Sequence, residues 1–415
     1  MGKLLGMIPY IEQNEYWRDN LIPELLDSRY KLIQRDNGVY IHWCEISKDP
    51  DSHDATQGNI LPFIPTKVIN DLRTDDACIV FSTWQESTNP VDNYPIEHCI
   101  DFDLVLEKFC DDNNIPCRNV VWVSGDLKVQ ERQKSKRIKA YGFTCYGHDI
   151  LRHVETEINK TQWNLQPITE RTFEKDFICL QRFMKPGRIY WSLLLYRNNF
   201  IHSQYVSIAD RIADWSFFEK AKAFYLSAKK HYKHMSAYNL SCDQYFKDMW
   251  HDLADLGLSV PVTVDVHDHD KNWCAGWDTT LSSLEFYNKS FASVITETDM
   301  QSNGLYISEA TFRPFIYQQP CVWAAQAGIV KQLNDWGFKT WSWLASEEYD
   351  NCPYMIDRLN MCKDSLIEMI STSRDKKVLE RIHEQNIYNW NHLQNKFVDD
   401  QRTRFIKLLN DIVNK

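Results

Sequence analysis

Short apolar blocks alternate with amphipathic segments along the chain, which is the pattern of an α/β protein. "ACIVFSTW", residues 77–84, is an apolar run of strand length, and the "QESTNPVDNYP" that follows has loop chemistry. "DFDLVLEKFCDDNNIP" carries apolar residues at helical spacing and stops at Pro116; "NVVWVSGD" then reads as a buried strand ending at Gly125. Strand, helix, strand at this spacing predicts a parallel βαβ unit. The pattern restarts near residue 166 with "DFICLQRF" as a strand, "MKPG" as a turn and "RIYWSLLLYRNNF" as a helix. Beyond it, strands "ASVITET", "PCVWAAQ" and "KTWSW" interleave with helices "SEATFRPFIYQQ" and "GIVKQLNDWGF". From about Asp375 the chain is charged and helix-favouring, whereas the first 70 residues read as irregular, with "SKDPDSHDATQGN" a turn-rich surface loop.

At 415 residues the chain exceeds one ordinary core. We expect one α/β domain over 1–165, a second over 166–375 and helices over 376–415 that pack back on the molecule, with a cleft between the two domains. The 12 Cys are scattered without paired spacing, which predicts reduced thiols and no zinc site. No run of 18 apolar residues occurs and the N-terminus lacks a secretory pattern, so a soluble, cytoplasmic chain without membrane contact is expected. A net charge of −10 disfavours a wholly electrostatic nucleic-acid binder but leaves room for a local basic face.

Ligands of open α/β sheets sit at the carboxyl ends of the strands, where helix N-termini attract anions. In "CLQRFMKPGRIYW", Arg182 ends a strand, Lys185 sits in the turn and Arg188 opens the helix. A cation there works against the helix dipole unless an anion faces it, and a diphosphate would suit the two Arg forks and the Lys. Three solvated surface cations are the competing reading. In "TETDMQSNGLYISEATFRPF", Glu297 comes at the carboxyl end of a strand, Ser308 is an N-cap and Glu309 falls in the first helical turn with Thr311 and Arg313 behind it. Capping accounts for Glu309, and pairing across one turn accounts for Arg313. Equally, Glu309 could accept hydrogen bonds from a ribose while Arg313 faces a phosphate.

The run "ITET…ISEATFRPFIYQQPCVWAAQAGIVKQLNDWGFKTW…EEYD" resembles the C-terminal half of glycosyltransferases common in bacteriophages and large viruses. Their usual form is roughly "TET…SEKTFKPI…HPF…G…L…LGFKTF…DESYD". "FICLQRFMKPGRI" is similar to their "FLCLNR…R…HR" segment and "VVWVSGDL" to their "YITGNL". The resemblance spans residues 120 to 355 loosely and 291 to 350 specifically. Through a distant similarity to fucosyltransferases it implies GT-B architecture, two Rossmann-like domains facing across a cleft, with the nucleotide-diphosphate sugar on the C-terminal one. It further implies that Glu309 contacts the donor ribose, that Arg182 or Arg188 contacts the diphosphate, and that no metal cofactor is needed. Two departures stand out: the family's Lys after the Glu is Ala310, and its Asn before the Arg is Gln181. Arg313, aligned with the family's second Lys, would have to supply the missing cation, and a non-catalytic sugar-nucleotide or glycan-binding relative is the alternative. Inverting transfer needs a carboxylate to take the acceptor's proton. Glu86 in "FSTWQES" stands where the fucosyltransferases' "FS…ES" segment carries its proposed base.

The acceptor is expected to be a glycan or protein hydroxyl, or hydroxymethylated pyrimidines in DNA. The DNA reading draws on "KVQERQKSKRIKAYG" with Lys134, Lys136, Arg137 and Lys139, and on "EKAKAFYLSAKKHYKH" with Lys229 and Lys230 among aromatics. Solvated helix faces explain both stretches as well. "DVHDHDKNWC" holds metal-ligand chemistry at alternating spacing but no third distant ligand, and "DFD" at Asp101–Asp103 is too short a match to count as a metal motif.

Overall fold

The computed structural model describes residues 30–34, 40–45, 61, 64, 66–74, 77–83, 102–144, 165–181, 186–208, 252, 256, 284–297, 300 and 304–413. The chain falls into two compact units, Met1–Cys145 with Gln401–Lys415, and Tyr146–Asp400. Each carries its own sheet, so the expected α/β class is the one observed.

The first unit holds a five-stranded sheet in sequential order, β1 (Tyr30–Gln34), β2 (Tyr40–Glu45), β3 (Ala77–Thr83), β4 (Val120–Ser124) and β5 (Lys139–Gly142). β1 pairs antiparallel with β2 and every other pair is parallel. The two N-terminal strands correct the expectation of an irregular first 70 residues. β3 and β4 are buried at every position, as their unbroken apolar runs require when both faces of a sheet are covered. Helix α1 (Thr66–Arg73) precedes β3, and α2 (Phe102–Asn113) joins β3 to β4. α2 stops where Asn114 turns left-handed at φ 53°, with Asn114 N and Ile115 N returning to the carbonyls of Asp111 and Cys110, and Pro116 prevents its continuation. Phe81, Phe102 and Trp122 meet edge-on in the core, each contributing roughly 1.5–3 kcal/mol of burial.

In the second unit four parallel strands run in the order β7-β6-β8-β9, with β6 at Lys175–Gln181, β7 at Tyr205–Ile208, β8 at Ser290–Thr296 and β9 at Cys321–Ala324. Helix α3 (Pro186–Arg197) follows β6, starting on Pro186, whose missing N–H costs nothing in a first turn. α4 (Ile329–Asp335) follows β9 and ends at Gly337, whose φ of 92° would strain any other residue and whose Cβ position lies close against the His392 ring. α5 (Met355–Ser371), α6 (Lys376–His392) and α7 (Val398–Val413) complete the chain, with Asp375 capping α6 at Val378 N, 3.1 Å. Among the described residues no helix is long and apolar enough to cross a membrane.

Two predicted elements differ from the observed ones. "SEATFRPFIYQQ" is not one helix: a 3-10 turn, Glu309–Phe312, passes into a single α-turn, Arg313–Ile316. "KTWSW" is not a strand. Its backbone finds side chains instead of a neighbouring ladder: Lys339 N donates to Asn389 Oδ1 (2.8 Å), Lys339 O accepts from Asn389 Nδ2 (2.8 Å), and Trp341 N donates to Glu347 Oε1 (2.5 Å).

Candidate functional site

In the second sheet the chain leaves β6 for β7 on one side and later passes from β8 to β9 on the other. β6 and β8 therefore flank the point where the strand order reverses, and right-handed crossovers put α3 and the Glu309–Ile316 segment on opposite faces. Gln181 and Thr296 are the last residues of these strands.

Four charged side chains gather at this edge as an inner and an outer pair. Arg188, 8% exposed, donates from Nε (3.2 Å) and Nη2 (2.7 Å) to the carbonyl of Thr296. Glu297, 0% exposed, accepts on one oxygen, Oε1, from Ser308 N (3.2 Å) and from the Thr311 hydroxyl. Burial lowers the pKa of Arg188, against the attraction of Glu297 and Glu309. Burial raises that of Glu297, against the hydrogen bonds from Thr311 and Ser308. The outer pair is Glu309 and Arg313, with side chains 29% and 15% exposed and their charged atoms 3.9 Å apart. Burial works against the charge on Arg313, yet Tyr287 and Glu309, with Tyr317 and Glu297, hold its pKa above the ordinary value.

Ser308 caps the 3-10 turn, its hydroxyl accepting from Ala310 N at 3.2 Å, and the carbonyl of Thr311 accepts from Trp323 Nε1 at 3.2 Å. Both residues help to shape the turn. Three buried polar atoms in this region have no hydrogen-bond partner among the described residues: Gln181 Oε1, Thr296 Oγ1 and Arg313 Nε. Folded proteins rarely leave such atoms unpaired, and two of the three belong to Gln181 and Thr296, the last residues of β6 and β8. Sequence reasoning did not single out Gln181 and Thr296 as polar last residues of buried strands, which is the signal in the sequence for these unpartnered atoms.

The structure thus brings together Arg188, Glu297, Ser308, Glu309, Thr311 and Arg313. Arg182 and Lys185 lie outside the described residues, as do Glu86, Lys229, Lys230 and the "DVHDHDKNWC" segment. Lys134, Lys136, Arg137 and Lys139 are exposed in the first unit. Arg137 is held by Glu107 (3.0 Å) and Asp111 (2.7 Å) of α2, so its charge is answered within the protein. Asp103 of the "DFD" triplet is buried and accepts from Lys134 N (2.5 Å) and Ser135 N (2.6 Å), a loop-fixing role that accounts for it without a metal. Among the described residues no group of three His, Cys, Asp or Glu is arranged to hold a metal ion.

No protein-family model matches the sequence. No curated protein matches it either. In structure the chain is similar to an α,α-trehalose-phosphate synthase (UDP-forming) from Burkholderia vietnamiensis, over 92% of each chain, at 10% sequence identity and a TM-score of 0.37.

Proposed function

We propose that the chain is a GT-B-type glycosyltransferase that moves a sugar from a nucleotide-diphosphate donor to a hydroxyl acceptor, with the donor held at the carboxyl edge between β6 and β8. The observation that carries this reading is that Arg188, Glu309 and Arg313 act on one another near the ends of β6 and β8, whose last residues, Gln181 and Thr296, keep buried polar atoms without a partner. Such a crevice is where open α/β sheets take nucleotides. In this reading Arg313 touches the diphosphate and Arg188 supplies positive charge behind it. Negative charge grows on the leaving diphosphate as the glycosidic bond breaks, and cations fixed in advance lower the barrier most where charge develops. Glu309 accepts hydrogen bonds from the donor's ribose. Arg182 and Lys185 add to the cationic side, and Glu86 takes the acceptor's proton in an inverting transfer that needs no metal.

A thermal-shift screen with UDP, GDP, CMP and dTDP sugars tests the donor assignment, because a ligand that binds only the folded state raises the melting temperature with its concentration. One nucleotide family should raise it, and transfer or hydrolysis of that sugar should be lost in Arg313→Ala. Absence of any shift across the panel would remove the nucleotide-sugar reading. A shift without turnover of any sugar would instead favour a binding protein, in keeping with Ala310 where the glycosyltransferases that this segment resembles carry Lys.

A further inference from the structure

Glu297 extends β8 by one residue: its N–H donates to the carbonyl of Ala324 at 3.0 Å, so its backbone is still held by β9. Side chains alternate along a strand, and the turn beginning at Ser308 lies on the side to which Glu297 points. Its Oε1 accepts from Ser308 N and from the Thr311 hydroxyl. Those two residues bracket Glu309, and Arg313 follows two positions later. Arg188 donates from Nε and Nη2 to the carbonyl of Thr296, the residue before Glu297, and its charge adds to the Thr311 and Ser308 hydrogen bonds that favour the carboxylate against burial.

A turn that needed only an acceptor could use a neutral amide, which costs less to bury than a carboxylate. With a charge at this position, one side chain can join two elements: by hydrogen bonds the 308–311 turn, and by electrostatic attraction the first turn of α3. These elements come from opposite faces of the sheet.

We propose that Glu297 is a positioning residue for the donor. Wholly buried, it makes no contact with the nucleotide; it fixes the turn that aims Glu309 and Arg313 and ties that turn to Arg188. The proposal rests on the nucleotide-sugar reading of this edge for its consequence, though not for its geometry.

The test compares Glu297→Gln, Glu297→Ala and Thr311→Val by two measurements: affinity for UDP and GDP by calorimetry, and amide hydrogen exchange of the 304–316 segment. Thr311→Val removes one fully buried hydroxyl at nearly constant volume and guards against Glu297→Ala failing to fold. It should weaken binding of the preferred diphosphate by about tenfold, the scale of one lost buried hydrogen bond, and speed exchange in the segment. Glu297→Ala should do both more strongly. Glu297→Gln keeps an Oε1 acceptor, so exchange should remain slow and the affinity loss should fall below that of Glu297→Ala. Equal affinity loss in Glu297→Gln and Glu297→Ala with slow exchange in both would mean that the carboxylate acts on the ligand itself, and would overturn the proposal. Unchanged exchange in both Glu297→Ala and Thr311→Val would overturn it whatever binds. If the wild type binds neither UDP nor GDP, the nucleotide reading fails for those donors, while the exchange data still decide whether Glu297 holds the turn.

Discussion

Helices α3 and α4 both follow parallel strands of the second sheet, yet their N-termini are finished in opposite ways. At α4 the carboxylate of Asp350 accepts from Gly328 N (3.0 Å), Val330 N (3.0 Å) and Lys331 N (2.9 Å), closing the positive end of the helix with the protein's own anion. The first turn of α3 contains no acid and carries Arg188 instead. A guanidinium at that end is disfavoured by the helix dipole unless a negative group faces it. Among the described residues the acids whose charge acts on it are Glu297, wholly buried just past β8, and Glu309. The contrast separates a helix end closed for structure from one held in balance by charges, which is the kind of place where a further anion changes the energetics most.

Breaking the balanced end should have the largest effect. Arg188→Met strands Glu297 and is expected to cost about 3 kcal/mol in chemical denaturation near neutral pH. The loss should depend on pH. The folded state already binds the Glu297 proton more tightly than the unfolded chain, and without Arg188 more tightly still. A raised folded-state pKa favours folding in acid and loses that contribution as pH rises through it, so the deficit should shrink on acidification. A deficit that stays constant with pH would remove Glu297 as the partner. Asp350→Ala leaves the Val330 and Lys331 amides unpaired, while Gly328 N keeps the main-chain carbonyl of residue 350, and should cost about 2 kcal/mol, with no change in nucleotide affinity relative to folded protein. Arg313→Ala should reverse that profile, losing about tenfold or more in diphosphate affinity with little change in stability. The smallest effect is expected at Arg137→Ser, an exposed cation whose ion pairs face water; its melting temperature should stay within about 1 °C of wild type.

Much of the second sheet was legible because its strands are buried on both faces and so appear as uninterrupted apolar runs, with Pro186 and Gly337 marking helix ends. "KTWSW" misled for the same reason in reverse: its composition is that of a strand, but Asn389 and Glu347 take the backbone groups that a neighbouring strand would need. The pair β1 and β2 was missed although Asn37-Gly38 between them is a strong hairpin signal. Glu309 and Arg313 were legible as neighbours one helical turn apart. The burial of Glu297 and Arg188, and their division of labour from the outer pair, was not, because it depends on bringing Arg188 to the carbonyl of Thr296, 108 positions away.

The last fifteen residues belong to the first compact unit: Phe405 is buried there, with its ring centre 5.3 Å from that of Phe143. A chain emerging from the ribosome would therefore complete its first half only after its second half had been made. Fragments cut at residue 145 should behave as unfinished proteins, and restoring them would require supplying residues 401–415 as a separate peptide.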